Sequence, residues 1–95
     1  MDNTVTVRIL DREYRVRCAP EQRRDLMESA LLVDQQMREI RDGARINSLD
    51  KVAVISALNL AEEVIKLRQA LAEHERIEQR LGKMAASLEA SLPEE

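Results

Sequence analysis

A chain of 95 residues with a formal net charge of -3 is long enough for one small domain, and it contains one Tyr, no Phe and no Trp. Deep ligand pockets and base-stacking surfaces are usually built from aromatic side chains, so this composition argues against a small-molecule enzyme. The single cysteine excludes an intramolecular disulfide, and no hydrophobic run reaches the length of a signal peptide or a membrane span. We therefore expect a cytoplasmic protein.

The chain begins with two segments of alternating pattern that predict a β-hairpin. In residues 4–10, Val5, Val7 and Ile9 alternate with polar side chains, and residues 13–18 repeat the pattern. A two-residue turn at residues 11–12 would join the strands. Because a lone hairpin is marginally stable in water, we expect its apolar face to pack on the start of the long helix further along the chain.

A first helix is predicted over residues 20–42. Pro20 suits the first turn of a helix, where its missing N–H would be unsatisfied anyway. Gly43 is expected to end the helix as a left-handed cap. Apolar residues recur between these limits at alternating steps of four and three, which gives one apolar face: Leu26, Ala30, Val33, Met37 and Ile40.

A second, much longer helix is predicted over residues 48–92, which contain no Gly before Gly82 and no Pro. Ser48 is the predicted N-cap, with Asn47 as the alternative. The first third of this helix is apolar on nearly every side, which is typical of a helix that other elements cover. Asn59 lies in that region, and two outcomes stay open for its amide: a bond to the hairpin backbone or to a partner chain, or a side chain that points to solvent.

Beyond residue 65 the apolar residues thin to a coiled-coil seam with steps of four and three. Two runs of this seam are separated by six residues, from Leu71 to Ile77, where seven would keep the phase. We therefore expect a break or a change of partner near His74. The predicted oligomerisation residues are Leu60, Val64, Leu67, Leu71, Ile77, Leu81, Met84 and Leu88.

These elements predict an α+β fold. A head of residues 1–65 would contain a two-stranded antiparallel hairpin, one helix and the start of the long helix. Residues 66–95 would form the oligomerisation segment, a coiled coil in a dimer or tetramer with a frayed acidic tail at residues 93–95.

No pattern in the sequence indicates catalysis, a cofactor or a metal. Cys18 falls on the apolar side of a strand and is predicted to be structural. His74 is the only histidine, so no imidazole pair is available for a metal site. A Gly-rich phosphate loop, a nucleophile elbow and a CxxC spacing are all absent from the sequence. We predict a non-enzymatic protein without a small-molecule substrate.

A set of arginines in the hairpin and before the long helix is the candidate binding feature of this sequence. Three interpretations stay open: an acidic protein partner, a basic β-ribbon that enters DNA, or arginines that merely keep the head of a coiled-coil scaffold soluble. Residues 1–47 carry nine Arg and nine Asp or Glu, and this neutral balance fits an acidic protein better than DNA. The arginines concerned are Arg8, Arg12, Arg15, Arg17, Arg41 and Arg45.

Several stretches resemble the bacterial cell-division ZapA family: VTVRILDREYRV at residues 5–16, CAPE at residues 18–21 and above all VAVISALNL at residues 52–60. The likeness spans residues 4 to about 68. It implies a cytoplasmic, non-enzymatic factor that binds the tubulin-like GTPase FtsZ, bundles or aligns its filaments and stabilises the ring at midcell. It also implies dimers whose long helices pair antiparallel into a tetramer.

The resemblance further implies five FtsZ-binding residues, carried over by position and charge. The expected partners are FtsZ filaments and further copies of this chain, with other division proteins as additional candidates, and neither nucleic acid nor membrane insertion is expected. Asp11 stands where the family usually has Gly in the turn. The implied binding residues are Arg12 at the hairpin turn, Arg15 in the second strand, Arg41 and Arg45 before the long helix, and Asp50 at its start.

Overall fold

The structure, a computed structural model, describes residues 3–92. The chain forms strand β1 (Thr4–Ile9), strand β2 (Arg12–Arg17), a 3-10 turn (Pro20–Gln22), helix α1 (Arg23–Gly43) and helix α2 (Leu49–Ser91). A two-stranded antiparallel hairpin followed by helices confirms the predicted fold class. The acidic tail that was predicted to fray lies outside the described residues.

The hairpin turn lies one residue earlier than predicted. Ile9 is paired with Arg12, so Leu10 and Asp11 form the two-residue turn, and the prediction of a turn at residues 11–12 is wrong. Leu10 has φ 49° and Asp11 has φ 64°. Positive φ at both central positions is what a type I′ turn requires, and its twist matches that of the strands.

The core of the hairpin region lies between β1 and α1. Val5 and Val7 are buried together with Ala30 of α1, and Leu26 packs against this cluster. The expectation that the hairpin packs on the long helix is therefore wrong. Only two residues separate β2 from the 3-10 turn that leads into α1, so the helix next in sequence covers the hairpin.

Helix α1 follows the predicted apolar face but differs at its end. Ala30 and Met37 are its buried residues. Gly43 is the last helical residue and does not have a positive φ, so the prediction that it caps the helix is wrong. Arg45 takes the left-handed conformation instead, with φ 52°. The Ile46 N–H then donates to the carbonyl oxygen of Arg41 at 3.2 Å, the six-residue bond of a Schellman ending.

Helix α2 begins as predicted at Ser48. The Ser48 side-chain oxygen accepts the Lys51 N–H at 3.4 Å, and its carbonyl oxygen accepts the Val52 N–H at 3.0 Å. Val52 and Ser56 are each 1% exposed, so this end of the helix is covered. Among residues 3–92, no Cα atom of α2 lies within 8 Å of a Cα atom in the hairpin or α1.

Two details of α2 differ from expectation. The helix runs unbroken through His74, whose Nε2 lies 3.0 Å from Glu78 Oε1, so the chain has no break there, and a change of partner stays a prediction. Asn59 is half-buried, and its amide has no hydrogen bond to any described residue. The expected bond from Asn59 to the hairpin is therefore wrong, and a bond to a partner chain stays a prediction.

The chain forms two compact units, Met1–Leu60 and Ala61–Glu95. The first contains the hairpin, α1 and the start of α2. In the second, every residue from 61 to 92 is exposed. Over the described range, 3–92, no helix has both the length and the apolar character needed to cross a membrane.

Candidate functional site

The two hairpin arginines of the expected site lie on opposite faces of the hairpin. Arg12 is opposite Ile9 in the register, on the side of the sheet that carries the apolar residues. Arg15 is opposite Thr6, on the outward side. Arg8 also lies on the outward side but faces Glu13, which divides the basic character of that surface. The ribbon therefore does not present all its arginines together.

The remaining expected residues lie around the connection between α1 and α2. Arg41 is in the last turn of α1, where its Nε lies 3.0 Å from Asp42 Oδ1. Arg45 is exposed in the connection, and Asp50 is exposed in the first turn of α2. An acidic residue there is favoured by the positive end of the helix dipole.

A network of charged groups connects the hairpin turn to α1. The Leu10 N–H donates to Asp34 Oδ1 at 2.8 Å, and Arg38 Nε donates to Asp34 Oδ2 at 3.0 Å. Arg38 also donates from its Nη2 to Asp11 Oδ1 at 3.1 Å. The hydrogen bond from Leu10, followed by the hydrogen bond and the charge of Arg38, holds the pKa of Asp34 below its ordinary value.

This network brings the hairpin turn to the C-terminal half of α1. Arg41 follows Arg38 by three residues and so lies one helical turn further on, and its charge also lowers the pKa of Asp34. The turn residue Asp11 precedes Arg12 directly. Of the expected binding residues, Arg12 and Arg41 therefore flank one network.

The sequence analysis did not single out Asp34 or Arg38. Their spacing of four residues predicts an ion pair on one helix face, and this pair was visible in the sequence. The hydrogen bonds that connect this pair to the hairpin turn were not visible in the sequence, because they depend on how β1 packs against α1.

An apolar groove of about 480 Å³ lies between the hairpin, α1 and the start of α2. It is open to solvent, and Tyr14 on its wall remains 42% exposed. Asp50 is its charged lining residue. The groove is lined by Val7, Ile9, Tyr14, Val16, Val33, Met37, Leu49, Asp50 and Ala53.

The predicted oligomerisation residues of the second unit are all solvent-exposed in the single chain. Leu60 is half-buried at the end of the first unit. From Val64 to Leu88 the exposed fractions lie between 45% and 69%. A helix that leaves large apolar side chains at heptad spacing in water is typical of one strand of a coiled coil. The residues in this range are Val64, Leu67, Leu71, Ile77, Leu81, Met84 and Leu88.

Other groups that could carry chemistry are not clustered. Cys18 is a half-buried free thiol that packs against the hairpin core. No group of three or more His, Cys, Asp or Glu side chains among residues 3–92 is arranged to hold a metal ion.

Together, the small hairpin–helix head, the exposed charged residues at its element ends and the exposed heptad seam define the class of this protein, an interaction protein built on a long helix with a coiled-coil pattern. The family described as cell division protein ZapA matches residues 5–88. This chain therefore belongs to the ZapA family of cell division proteins.

Individual relatives agree with this assignment. The cell division protein ZapA of Pseudomonas aeruginosa PAO1 is 39% identical over 69 residues, which are 73% of this chain and 66% of that protein. The cell division protein ZapA of Cronobacter sakazakii is 32% identical over 95 residues, which cover 96% of this chain and 84% of that protein.

A solved structure shares the fold. It is described as an unknown conserved bacterial protein from Pseudomonas aeruginosa PAO1, and it is 32% identical with a TM-score of 0.71. The match covers 94% of this chain and 99% of that one.

Proposed function

We propose that this chain binds FtsZ filaments and crosslinks or aligns them, so that it stabilises the division ring at midcell in the cytoplasm. Membership of the ZapA family supports a role in cell division. The proposal assigns the binding itself to charged side chains of the head and gives the chain no catalytic step. The proposed binding residues are Arg12, Arg15, Arg41, Arg45 and Asp50.

The observation that carries this proposal is the match to the cell division protein ZapA family over residues 5–88. The conformation of Arg45 supports its place among the proposed binding residues. Its φ of 52° is one that Gly adopts freely and that other residues adopt at a cost of roughly 1–2 kcal/mol. The side chain is exposed. An exposed arginine at a position where Gly would be less strained supports a role for its guanidinium in binding, because strained positions concentrate at functional sites.

Crosslinking requires more than one head in each assembly. The exposed seam from Val64 to Leu88 would join copies of the chain into dimers and tetramers, because pairing removes these apolar side chains from water. Once one head is bound, a second head of the same assembly binds at a high effective concentration. Weak single contacts then add up to an effective crosslink.

The proposal is tested by pelleting the protein with FtsZ polymerised in GTP, with unpolymerised FtsZ in GDP as the control, and by imaging the filaments. The chain should pellet with the polymer and convert single filaments into bundles. Binding to duplex DNA without binding to FtsZ polymer would contradict the proposal and favour the β-ribbon interpretation.

A further inference from the structure

We infer that Asp34 and Arg38, which are not among the proposed binding residues, position Arg12 for binding by fixing the hairpin turn. The two residues are called the turn clip below. The inference rests on the proposed function, because it assigns the clip a role in the same binding surface. Asp34 and Arg38 would act as positioning residues, and contact with the filament would be made by Arg12.

The sequence of the hairpin permits two registers that keep its apolar residues on one face. In the observed register Val7 faces Tyr14 and Ile9 faces Arg12. If the turn moved to residues 11–12, Ile9 would face Tyr14 instead, and the apolar alternation would be preserved because the shift is by two residues. Apolar patterning alone therefore does not choose between the registers.

The observed register also requires a turn that its residues do not favour. Leu10 and Asp11 both have positive φ, and neither is Gly. A leucine is an uncommon choice for this conformation, while an aspartate tolerates it better. A two-stranded sheet has little of its own to hold such a turn, so hydrogen bonds from outside the hairpin are expected to stabilise it.

The turn clip supplies that restraint to both turn residues. Asp34 holds the backbone N–H of Leu10, and Arg38 connects Asp34 to the carboxylate of Asp11. The Asp34 side chain is only 18% exposed, whereas that of Asp11 is 69% exposed. The inner bond is therefore the one better shielded from water and salt.

The position of Arg12 depends on which register is chosen. In the observed register Arg12 is the first residue of β2 and extends from the same face as Ile9. In the alternative register Arg12 would be in the turn itself, at the tip of the hairpin. By selecting the first register, the clip sets the direction from which the Arg12 guanidinium meets a partner. Arg45 lies in the connection before α2 and does not depend on this choice.

The test combines a structural measurement with a double-mutant cycle. Hydrogen exchange at the Leu10 amide and the NMR contact between Ile9 and Arg12 report the register directly. In Asp34→Ala the Leu10 amide should lose protection, while Glu39→Ala, which removes an exposed carboxylate from the same helix, should leave it unchanged. Asp34→Asn retains an acceptor for Leu10 and should fall between the two.

The binding arm uses the full chain and FtsZ polymer. Asp34→Ala should raise the concentration for half-maximal pelleting by at least about threefold, which exceeds the scatter within which independent changes add. In a chain that already carries Arg12→Ala, Asp34→Ala should cause almost no further loss of pelleting, because the clip acts through Arg12. Added to Arg45→Ala it should cause its full loss, since that residue is independent of the turn.

The outcomes separate the two ideas. Failure of the parent chain to pellet would overturn the proposed function and the role of the clip in binding with it. Normal pelleting by the parent, together with an unchanged Leu10 exchange rate in Asp34→Ala, would overturn the clip alone. Equal losses from Asp34→Ala in the Arg12 and Arg45 backgrounds would also overturn it, because they indicate a general loss of stability.

Discussion

Ile46 donates its N–H to the carbonyl oxygen of Arg41 at 3.2 Å, and this bond ends α1 only because the intervening Arg45 adopts a left-handed conformation. The backbone around Arg45 therefore carries a conformational cost that Gly would not have. Stability and binding are expected to oppose each other at this residue.

Arg45→Gly should raise the free energy of unfolding by about 1 kcal/mol and weaken FtsZ pelleting, because it relieves the positive φ and removes the guanidinium. Urea unfolding at fixed protein concentration measures the first effect, and pelleting measures the second.

Gly43→Ala is the matched control for this experiment. Gly43 is helical, and a Cβ atom there would meet nothing within 4 Å, so the substitution should also stabilise the chain by about 0.5–1 kcal/mol. It should leave pelleting unchanged. A loss of stability in Arg45→Gly, or normal pelleting by it, would contradict our interpretation of Arg45.

Acid should remove the contribution of Asp34 to stability. The pKa of Asp34 is lowered in the folded chain, chiefly by the Leu10 hydrogen bond and then by Arg38, so the unfolded chain binds the proton more readily. The stabilisation is thus fully present above the ordinary carboxyl pKa of about 4 and is lost as the pH falls through the lower folded value.

Urea unfolding of the parent and of Asp34→Asn between pH 7 and pH 3 tests this sign. The parent should be the more stable at pH 7, and the difference should shrink below about pH 4. Glu39→Gln removes an exposed carboxylate from the same helix and is the control, which should leave the free energy of unfolding at pH 7 nearly unchanged. A difference between parent and Asp34→Asn that grows on acidification would show the sign to be wrong.

The exposed seam predicts a specific effect of charge on assembly. Leu81→Glu places a carboxylate among apolar side chains, and if the partner helix covers this site the cost is roughly several kcal/mol. Light scattering should then show half the parent mass. The helical content of the head should be largely kept.

Gln79→Glu adds the same charge two residues away, on the side of the helix opposite the seam, and should not change the mass. An unchanged mass for Leu81→Glu would place the contact between dimers elsewhere on the chain.

Much of the fold follows from patterns that act over a few residues. The N-cap at Ser48, the apolar face that buries Ala30 and Met37, and the length of α2 were all predictable, because capping and helical periodicity are local. The packing partner of the hairpin was not, since β1 lies against α1 while the start of α2 offered the more apolar surface.

The hairpin turn shows most clearly where local patterns stop. Alternation fits a turn at Leu10 and Asp11 as well as one at residues 11–12, and the sequence favours neither with Gly. In the observed turn the Leu10 N–H donates to Asp34, and these two residues are 24 apart along the chain. For the same reason, the sequence could not decide whether Arg12 lies in the turn or in β2. Once both arginines are in the strand, their separation of three residues places them on opposite faces.

The measurement that tests the central claim most directly is FtsZ pelleting by charge-reversed heads at increasing salt, with a melting curve for each variant. Arg12→Glu, Arg15→Glu, Arg41→Glu and Arg45→Glu reverse charges at the proposed surface. Pelleting by the parent should weaken as salt shortens the Debye length below about 8 Å, and the variants should lose bundling while they still melt like the parent. If all four variants melt and bundle like the parent, binding by the charged residues of the head is contradicted.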